Sequence, residues 1–290
     1  MSGSALHVTG LTRTQGSFRL DSLDFDLPTG LVMGFVGPNG AGKTTTIKSI
    51  LGMTRPDSGS IELFEGDSPE SAAAKERIGV VLDQPFVSPD WKLGTITARL
   101  SRFYKGWDAP AFDSLLDRFG LSADLRVEAL SRGQGVKLSM AIALAHHPEL
   151  LILDEPTSGL DPVSRADLID ILREFMVDET HSVLFSTHIT SDLDTVADLI
   201  LVIEGGKIAY SGPLDGLQEE FAMVRGTEPL APETASRISG LRYRGTRFEG
   251  LIRTADTSLF GPTTIIDTAS TDDVVVCLAR HSSARQENAA

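Results

Sequence analysis

Hydrophobic and polar residues alternate near the N-terminus and then give way to uninterrupted apolar runs. Apolar side chains fall at nearly every second position over residues 5–9 and 17–27, which predicts antiparallel strands with one solvated face each. Residues 31–36 are almost entirely apolar, as in a strand buried on both faces of a parallel sheet. The same buried-strand pattern returns later in the chain, at 150–153, 183–186 and 199–203.

Helical spacing appears in two places between these strands. Residues 44–51 are predicted to form a helix that ends at Gly52 and Pro56, and short strands are predicted at 60–64 and 78–82. From about 88 to 145 apolar residues recur at helical spacing, which predicts a helical insert between two strands of one sheet. Gly205 and Gly206 then predict a hairpin into a strand at 207–210.

The pattern weakens beyond Pro213. Strand-like apolar runs at 251–253, 264–266 and 274–277 are mixed with turns, and residues 282–290 are predicted to form a frayed tail. We therefore predict an α/β domain over 1–215, with an antiparallel β subdomain and a helical subdomain at about 88–145. A small α+β accessory domain is predicted over 216–290.

Composition narrows the class of protein. The 290 residues carry a formal net charge of −14, which argues against nucleic acid as the main partner. No apolar run approaches the ~18 residues of a membrane span, and residues 1–7 lack a signal-peptide pattern. The single cysteine, Cys277, excludes an internal disulfide and a cysteine-rich zinc site. We expect a cytoplasmic chain.

The sequence GPNGAGKT at residues 37–44 matches the phosphate-binding pattern G-x-x-x-x-G-K-[ST]. Its glycines let backbone N–H groups converge on an anion, Lys43 can reach the β- and γ-phosphates, and the Thr44 hydroxyl can bind Mg²⁺. An apolar strand precedes the loop and a helix follows, as the pattern requires. The alternative is a glycine-rich turn that matches by chance.

A second acidic signal follows the buried strand at 150–153. Asp154 lies at the carboxyl end of that strand, where open α/β sheets bind ligands, and it is predicted to hold Mg²⁺. Glu155 is placed to polarise an attacking water as a general base. Taken alone, the pair could be a solvated acidic turn, but the phosphate loop favours the catalytic interpretation.

Three further motifs complete a family pattern. Residues 130–134 (LSRGQ) resemble the signature motif of ATP-binding cassette (ABC) proteins, and residues 158–161 (SGLD) resemble their D-loop. His188, 33 residues after Glu155, resembles their switch histidine. Over roughly 5–215 the chain resembles the ATP-binding subunit of ABC transporters, and details of sequence resemble bacterial exporters of drugs, peptides or lipids.

The resemblance implies a P-loop NTPase (RecA-like) core, ATP and Mg²⁺ as cofactors, and a head-to-tail homodimer or heterodimer with two ATP molecules between subunits. It also implies a separate membrane permease that holds the chain at the inner face of the cell membrane. Glu155 and His188 are the implied catalytic residues. Residues implied to bind ATP in the same subunit are Gly37, Pro38, Asn39, Gly40, Ala41, Gly42, Lys43, Thr44 and Thr45. Residues implied to act on the partner's ATP are Ser131, Arg132, Gly133, Gln134 and Asp161.

Some positions depart from the family pattern. The slot of the metal-sensing glutamine falls on Asp83 or Gln84, so the predicted metal ligands are Thr44, Asp154 and one of these two. The adenine-stacking slot holds Thr14, and the nearest aromatic residue, Phe18, is predicted to be a core-facing strand residue. Arg132 stands where most relatives have glycine.

Other classes of protein also use a phosphate-binding loop of this kind. A soluble ABC ATPase of translation or DNA maintenance usually has a second cassette with basic linkers, or a long coiled-coil interruption, and neither is seen here. A small GTPase or kinase would leave the signature and His188 unexplained.

His146, His147 and His181 lack any such context and are predicted to be surface residues.

Overall fold

The structure is a computed structural model that describes residues 3–82, 85–227 and 229–278. Within these ranges the strands form three sheets. In chain order the strands are β1 (Ser4–Gln15), β2 (Phe18–Pro28), β3 (Val32–Val36), β4 (Ser58–Leu63), β5 (Ile78–Val81), β6 (Leu150–Asp154), β7 (Ser182–Thr187), β8 (Leu199–Glu204), β9 (Lys207–Pro213), β10 (Phe221–Gly226), β11 (Ser239–Arg244), β12 (Arg247–Arg253) and β13 (Ile265–Thr268).

Helices separate many of these strands. They are α1 (Lys43–Ile50), α2 (Ala72–Glu76), α3 (Ile96–Leu100), α4 (Ala109–Arg118), α5 (Arg132–Leu144), α6 (Pro162–Phe175), α7 (Leu214–Glu220), α8 (Pro232–Ala235) and α9 (271–278). Short 3₁₀ segments lie at Leu93–Thr95, Val127–Ala129, Thr190–Thr195 and Thr254–Leu259. Among the described residues, no helix is both long and apolar enough to cross a membrane.

The six-stranded central sheet has the order β5-β6-β7-β3-β8-β9. All neighbours in it are parallel except β8 and β9, which form the predicted antiparallel hairpin. The strands β3, β6 and β7 are buried along their whole length, because helices and the other sheets cover both faces. Since they are parallel, the phosphate loop after β3 and the carboxylates after β6 reach the same edge of the sheet.

The three-stranded sheet, β2-β1-β4, is antiparallel and alternates buried and exposed residues as predicted. Its buried face shares one hydrophobic cluster with the central sheet and α1, including Leu20, Leu23, Phe35 and Ile47.

The predicted helical segment is also present. Helices α3 to α5 enclose a separate cluster around Phe112 and Leu138.

The four-stranded C-terminal sheet has the order β11-β12-β10-β13. The strand-like run at 274–277 was predicted wrongly: it lies in helix α9, where Val274 and Cys277 pack one helical turn apart into the core. Met223 and Leu251 of this sheet belong to the same hydrophobic cluster as Val183 of the central sheet. The C-terminal part therefore shares its core with the central sheet. The predicted frayed tail lies outside the described residues.

Candidate functional site

The phosphate-binding loop connects β3 to α1 at the carboxyl edge of the central sheet. Gly40 and Gly42 have φ angles of +83° and +119°, which side chains with a Cβ rarely adopt. At Gly42 an added Cβ would also lie 2.4 Å from a Leu20 methyl carbon. These glycines allow the loop to curl tightly over the first turn of α1, whose free N–H groups favour an anion.

Lys43, the first residue of α1, is nearly buried at this edge. Its ammonium group donates to the Gly37 carbonyl oxygen at 2.6 Å and lies 3.1 Å from Glu155 Oε1. The side chain thus curls back over its own loop. Its charge faces the space above the glycines, where a phosphate group can replace the loop carbonyl as its partner.

Asp154 is held by one hydroxyl on each side. Thr44 Oγ1 donates to Asp154 Oδ2 and Ser186 Oγ donates to Asp154 Oδ1, both at 2.9 Å. Ser186 lies on β7, directly beside Asp154 in the parallel register. Nothing in the sequence singles out Ser186, because only the strand order brings it next to β6.

Glu155 has a left-handed backbone with φ of +53°, an uncommon conformation for a residue other than glycine. Its backbone N–H donates to the Ser186 carbonyl, so its carboxylate turns away from the strand. Oε2 lies 2.6 Å from His188 Nδ1. Oε1 is buried and makes no hydrogen bond, although it is within ion-pair distance of Lys43. Oε1 therefore depends on the Lys43 charge for its compensation.

A cavity of about 480 Å³ opens above this group. Predicted residues that line it are Pro38, Asn39, Gly40, Gly42, Lys43, Thr44, Thr45 and Glu155. Gln15 and Phe18 also line it, whereas Thr14 does not. Phe18, which the strand pattern assigned to the core, is half-buried beside Gly42 and presents part of its ring to the cavity. The turn between β1 and β2 thus contributes to the site, which the sequence did not indicate.

The signature residues form the start of α5, away from this cavity. The Ser131 hydroxyl accepts from the Gln134 N–H at 3.3 Å, and the Gln134 side chain accepts from the Ser131 N–H at 3.0 Å. This reciprocal pair is a capping box. The Arg132 side chain lies against Gly159, and Gly133 lies close to Ser164. The signature and the D-loop are therefore neighbours within one chain.

Asp161 caps the next helix, α6. Its carboxylate accepts from the backbone N–H groups of Val163 and Ser164, both at 3.0 Å, and from the Ser164 hydroxyl. The backbone hydrogen bond from Ser164 is the largest cause that lowers the pKa of Asp161 below its ordinary value. Asp161 is thus a fixed anion in the D-loop. It does not line the cavity in the same chain.

Asp83 and Gln84, the alternatives for the third metal ligand, lie outside the described residues.

The prediction that His146 is a surface residue is wrong: it is buried, stacks on Tyr104 and places its ring nitrogens 3.1 Å and 3.3 Å from the Ile78 and Ile142 carbonyl oxygens. Burial lowers the pKa of His146 below its ordinary value.

Comparison with known proteins identifies relatives over most of the chain. The family model described as ABC transporter matches residues 20–158. An uncharacterised ABC transporter ATP-binding protein, YdbJ of Bacillus subtilis (strain 168), is 33% identical over 259 residues, covering 87% of this chain and 83% of that protein. Nod factor export ATP-binding protein I of Ralstonia nicotianae (strain ATCC BAA-1114 / GMI1000) is 35% identical over 227 residues, covering 74% and 70%. A solved ATP-binding subunit of an ABC transporter superposes with a TM-score of 0.67 at 25% identity, covering 74% of this chain and 92% of that one.

Proposed function

The chain belongs to the ATP-binding proteins of ABC transporters, and from that premise we propose that it hydrolyses ATP to power export through a separate membrane permease. The observation that carries this proposal is the convergence at one sheet edge of Lys43, Thr44, Asp154, Glu155 and His188. They come from three parts of the chain, and each meets a different need of phosphoryl transfer.

The phosphate loop and Lys43 bind and neutralise the phosphates of ATP. The Lys43 ammonium group exchanges its contact with the Gly37 carbonyl for a phosphate oxygen, and the N–H groups at the start of α1 complete the cradle. Phe18 and Gln15 extend the cavity on the side of the β1–β2 turn. A flat aromatic surface at that position supports the proposal that the adenine packs there.

Thr44 and Asp154 suit Mg²⁺. Their hydroxyl and carboxylate oxygens are the hard ligands that this ion prefers, and they lie within hydrogen-bond distance of each other. When bound, the ion neutralises charge that develops on the phosphates. Ser186 orients Asp154 by donating to its second oxygen. The position at 83 or 84 is proposed as an additional ligand on the family resemblance alone.

Glu155 is proposed as the general base. Its carboxylate lies at the edge of the cavity, with Oε2 2.6 Å from His188 Nδ1 and Oε1 3.1 Å from the Lys43 ammonium group. When Lys43 turns to the phosphates of ATP, Oε1 can accept a proton from a water that attacks the γ-phosphate. His188 holds the carboxylate in place, and a contact of its imidazole with the γ-phosphate is proposed on the family resemblance alone.

A dimer completes the site. Ser131 and Asp161 do not line the cavity of their own chain, yet they stand together at capped helix N-termini. A head-to-tail partner, either a second copy of this chain or a related one, brings the start of α5 to the γ-phosphate of the opposite subunit. The positive end of the helix dipole then faces the phosphate.

The permease partner is tested by purification. The chain, expressed at native level with an affinity tag, is isolated from detergent-solubilised membranes and in parallel from the soluble fraction. The expected result is a stoichiometric polytopic membrane protein in the membrane sample, together with ATPase activity that vanishes in the Lys43→Ala variant. Recovery only with ribosomes or DNA would leave the ATPase standing and overturn the transport role.

A further inference from the structure

The C-terminal sheet carries an arginine-lined cleft that the ATPase reaction does not use. We propose that this cleft binds a phosphate group of a small phosphorylated molecule or of a lipid headgroup. The cleft encloses about 430 Å³ and lies at the end of β10, β11 and β12, apart from the ATP cavity. Its charged lining residues are Arg225, Arg242, Arg244, Arg247 and Glu249.

Strand register places these side chains on one face of the sheet. Arg242 and Arg225 are each paired with Glu249, on the two sides of β12. Arg244 and Arg247 are directly opposite each other at the end of the β11–β12 hairpin. Like charges directly opposite across two strands are destabilising, so this pair has a cost that strand pairing does not explain. The cost is explained if an anion bridges the two guanidinium groups.

The carboxylates nearby neutralise only part of the charge. Arg225 forms an ion pair with Asp267, while Arg242 and Arg244 share Glu249 at 3.9 Å each. Among the residues that the structure describes, four guanidinium groups against these two carboxylates leave two positive charges. The chain as a whole is strongly acidic, with a formal net charge of −14, so this concentration of arginine is a local feature.

The chemistry of the cleft selects a phosphate. Arginine presents a planar fork of donors that matches phosphate oxygens, and a phosphate monoester carries about −1.5 to −2 charges at pH 7, enough to neutralise the excess. The volume is within the ordinary range for small-molecule sites. Phe248, Ile265 and Thr263 supply an apolar and hydroxyl wall beside the arginines, which leaves room for the group that carries the phosphate.

Pyrophosphate titration by isothermal calorimetry tests the site. Because the phosphate loop also binds phosphates, all proteins carry Lys43→Ala, which weakens binding at the loop. The difference between the parent and its cleft variants then measures binding at the cleft. The parent is expected to bind about one equivalent of pyrophosphate. Adding R244Q/R247Q is expected to weaken binding by about tenfold or more, since each hydrogen bond to a charged group is worth more than a tenfold factor. The control R102Q/R237Q removes two exposed arginines outside the cleft and should bind as the parent does.

A second variant and a second source of phosphate keep the outcomes distinct. If the double variant fails to fold, R247Q alone takes its place. This substitution removes a side chain with no ion pair among the described residues, and it should lose part of the affinity for pyrophosphate. Flotation with phosphatidylcholine vesicles, with and without phosphatidic acid, separates the sources. Vesicle binding that needs phosphatidic acid and the two arginines assigns a lipid headgroup. Pyrophosphate binding without vesicle binding assigns a soluble phosphorylated molecule. No binding in either assay, or binding that survives R244Q/R247Q, overturns the proposal.

Discussion

Lys43 and Glu155 form an ion pair that is nearly withdrawn from solvent. Their side chains are only 6% and 18% exposed, so each charge depends on the other for compensation. His188 supports Glu155 on its other oxygen, as Ser186 and Thr44 support Asp154. Two side chains of the same chain therefore fix each carboxylate of the site.

Replacing Lys43 by alanine is expected to weaken ATP binding by at least about tenfold, because a charge-assisted hydrogen bond to phosphate is lost and Glu155 is left uncompensated. Isothermal calorimetry with ATP measures the change. Lys48→Ala, on the exposed face of the same helix, is the matched control and should bind ATP normally. Unchanged ATP affinity in Lys43→Ala would remove the phosphate-loop assignment.

Glu155→Gln keeps the shape of the side chain but removes its basicity. We expect normal ATP affinity, turnover reduced by about 10² to 10⁴, and accumulation of an ATP-bound dimer. Phosphate release and size-exclusion chromatography with ATP check the two effects. Glu179→Gln, in an exposed loop, should change neither. A variant at Glu155 that turns over at the normal rate excludes this residue as the base.

Among the secondary-structure elements, several helices begin at a residue whose side chain caps the helix N-terminus. α4, α5 and α6 begin at capping side chains, respectively Asp108, Ser131 and Asp161. Of these, Ser131 and Asp161 also belong to the predicted functional motifs, so one side chain serves both the local helix and the proposed partner's ATP. At its other end α5 is followed by His146, which contacts the first residue of β5.

Ser131→Ala and Asp108→Ala separate the two roles of a cap. Each is expected to cost about 1 kcal/mol of unfolding free energy, because an N–H group at the helix start loses its acceptor. Only Ser131→Ala should also lower ATPase activity, by an order of magnitude or more, since Asp108 lies in no functional motif. Urea unfolding and steady-state hydrolysis measure the two quantities. Equal activity in both variants would show that Ser131 acts only as a cap.

His146 should make stability dependent on pH. Its pKa is lowered in the folded protein from the ordinary 6.5, chiefly by burial, so the unfolded chain binds more protons as pH falls. The contribution of His146 to the free energy of unfolding is therefore complete above about pH 6.5 and is lost as pH falls towards the folded pKa. Each unit by which folding lowers the pKa corresponds to about 1.4 kcal/mol of unfolding free energy. Denaturant unfolding from pH 7.5 to 5 should show a smaller slope for His146→Gln than for the wild type. A slope unchanged in His146→Gln would contradict the assignment.

In the molecule as a whole, the C-terminal part is tied to the ATPase core. Phe221 and Leu251 share a hydrophobic cluster with Leu193, which lies five residues after His188. Thr190 donates to Asp272, and Thr271 donates to Asp194, both at 3.3 Å. The segment that follows His188 is thus packed against α9.

A chain truncated after residue 215, at the boundary proposed from sequence, is expected to be less stable and prone to aggregation. It loses Leu217, Phe221 and Leu251 from the shared cluster, and burying such side chains contributes roughly 1.5–3 kcal/mol each. Thermal unfolding and light scattering check the outcome. Removal of 282–290 only, the segment predicted to fray, is the control. A truncated chain as stable as the full protein would show that 1–215 is an independent domain.

Local stretches of sequence were enough to predict the class of chemistry and most of the strands. A phosphate loop, a strand that ends in carboxylates and a helix cap each depend on a few consecutive residues, which contain the glycines, the hydrophobic periodicity or the side-chain acceptor that make them. For that reason the loop at 37–44, Asp154, Glu155 and Ser131 could be assigned to the correct elements from the sequence alone. The family, the ATPase fold and the transport function inferred from these motifs are confirmed.

Features that depend on neighbours distant in the chain were decided by tertiary structure. Ser186 supports Asp154 only because β7 lies beside β6, and Phe18 lines the cavity only because the start of β2 lies beside Gly42. Residues 274–277 form a helix and not the predicted strand, and His146 is buried and not at the surface. In both places tertiary packing outweighs a weak local preference of the sequence. The arginine cleft likewise depends on strand register, which brings residues 225 and 242 to the two sides of Glu249. Contacts of this kind are set by the burial of the whole chain, which no short stretch of sequence records.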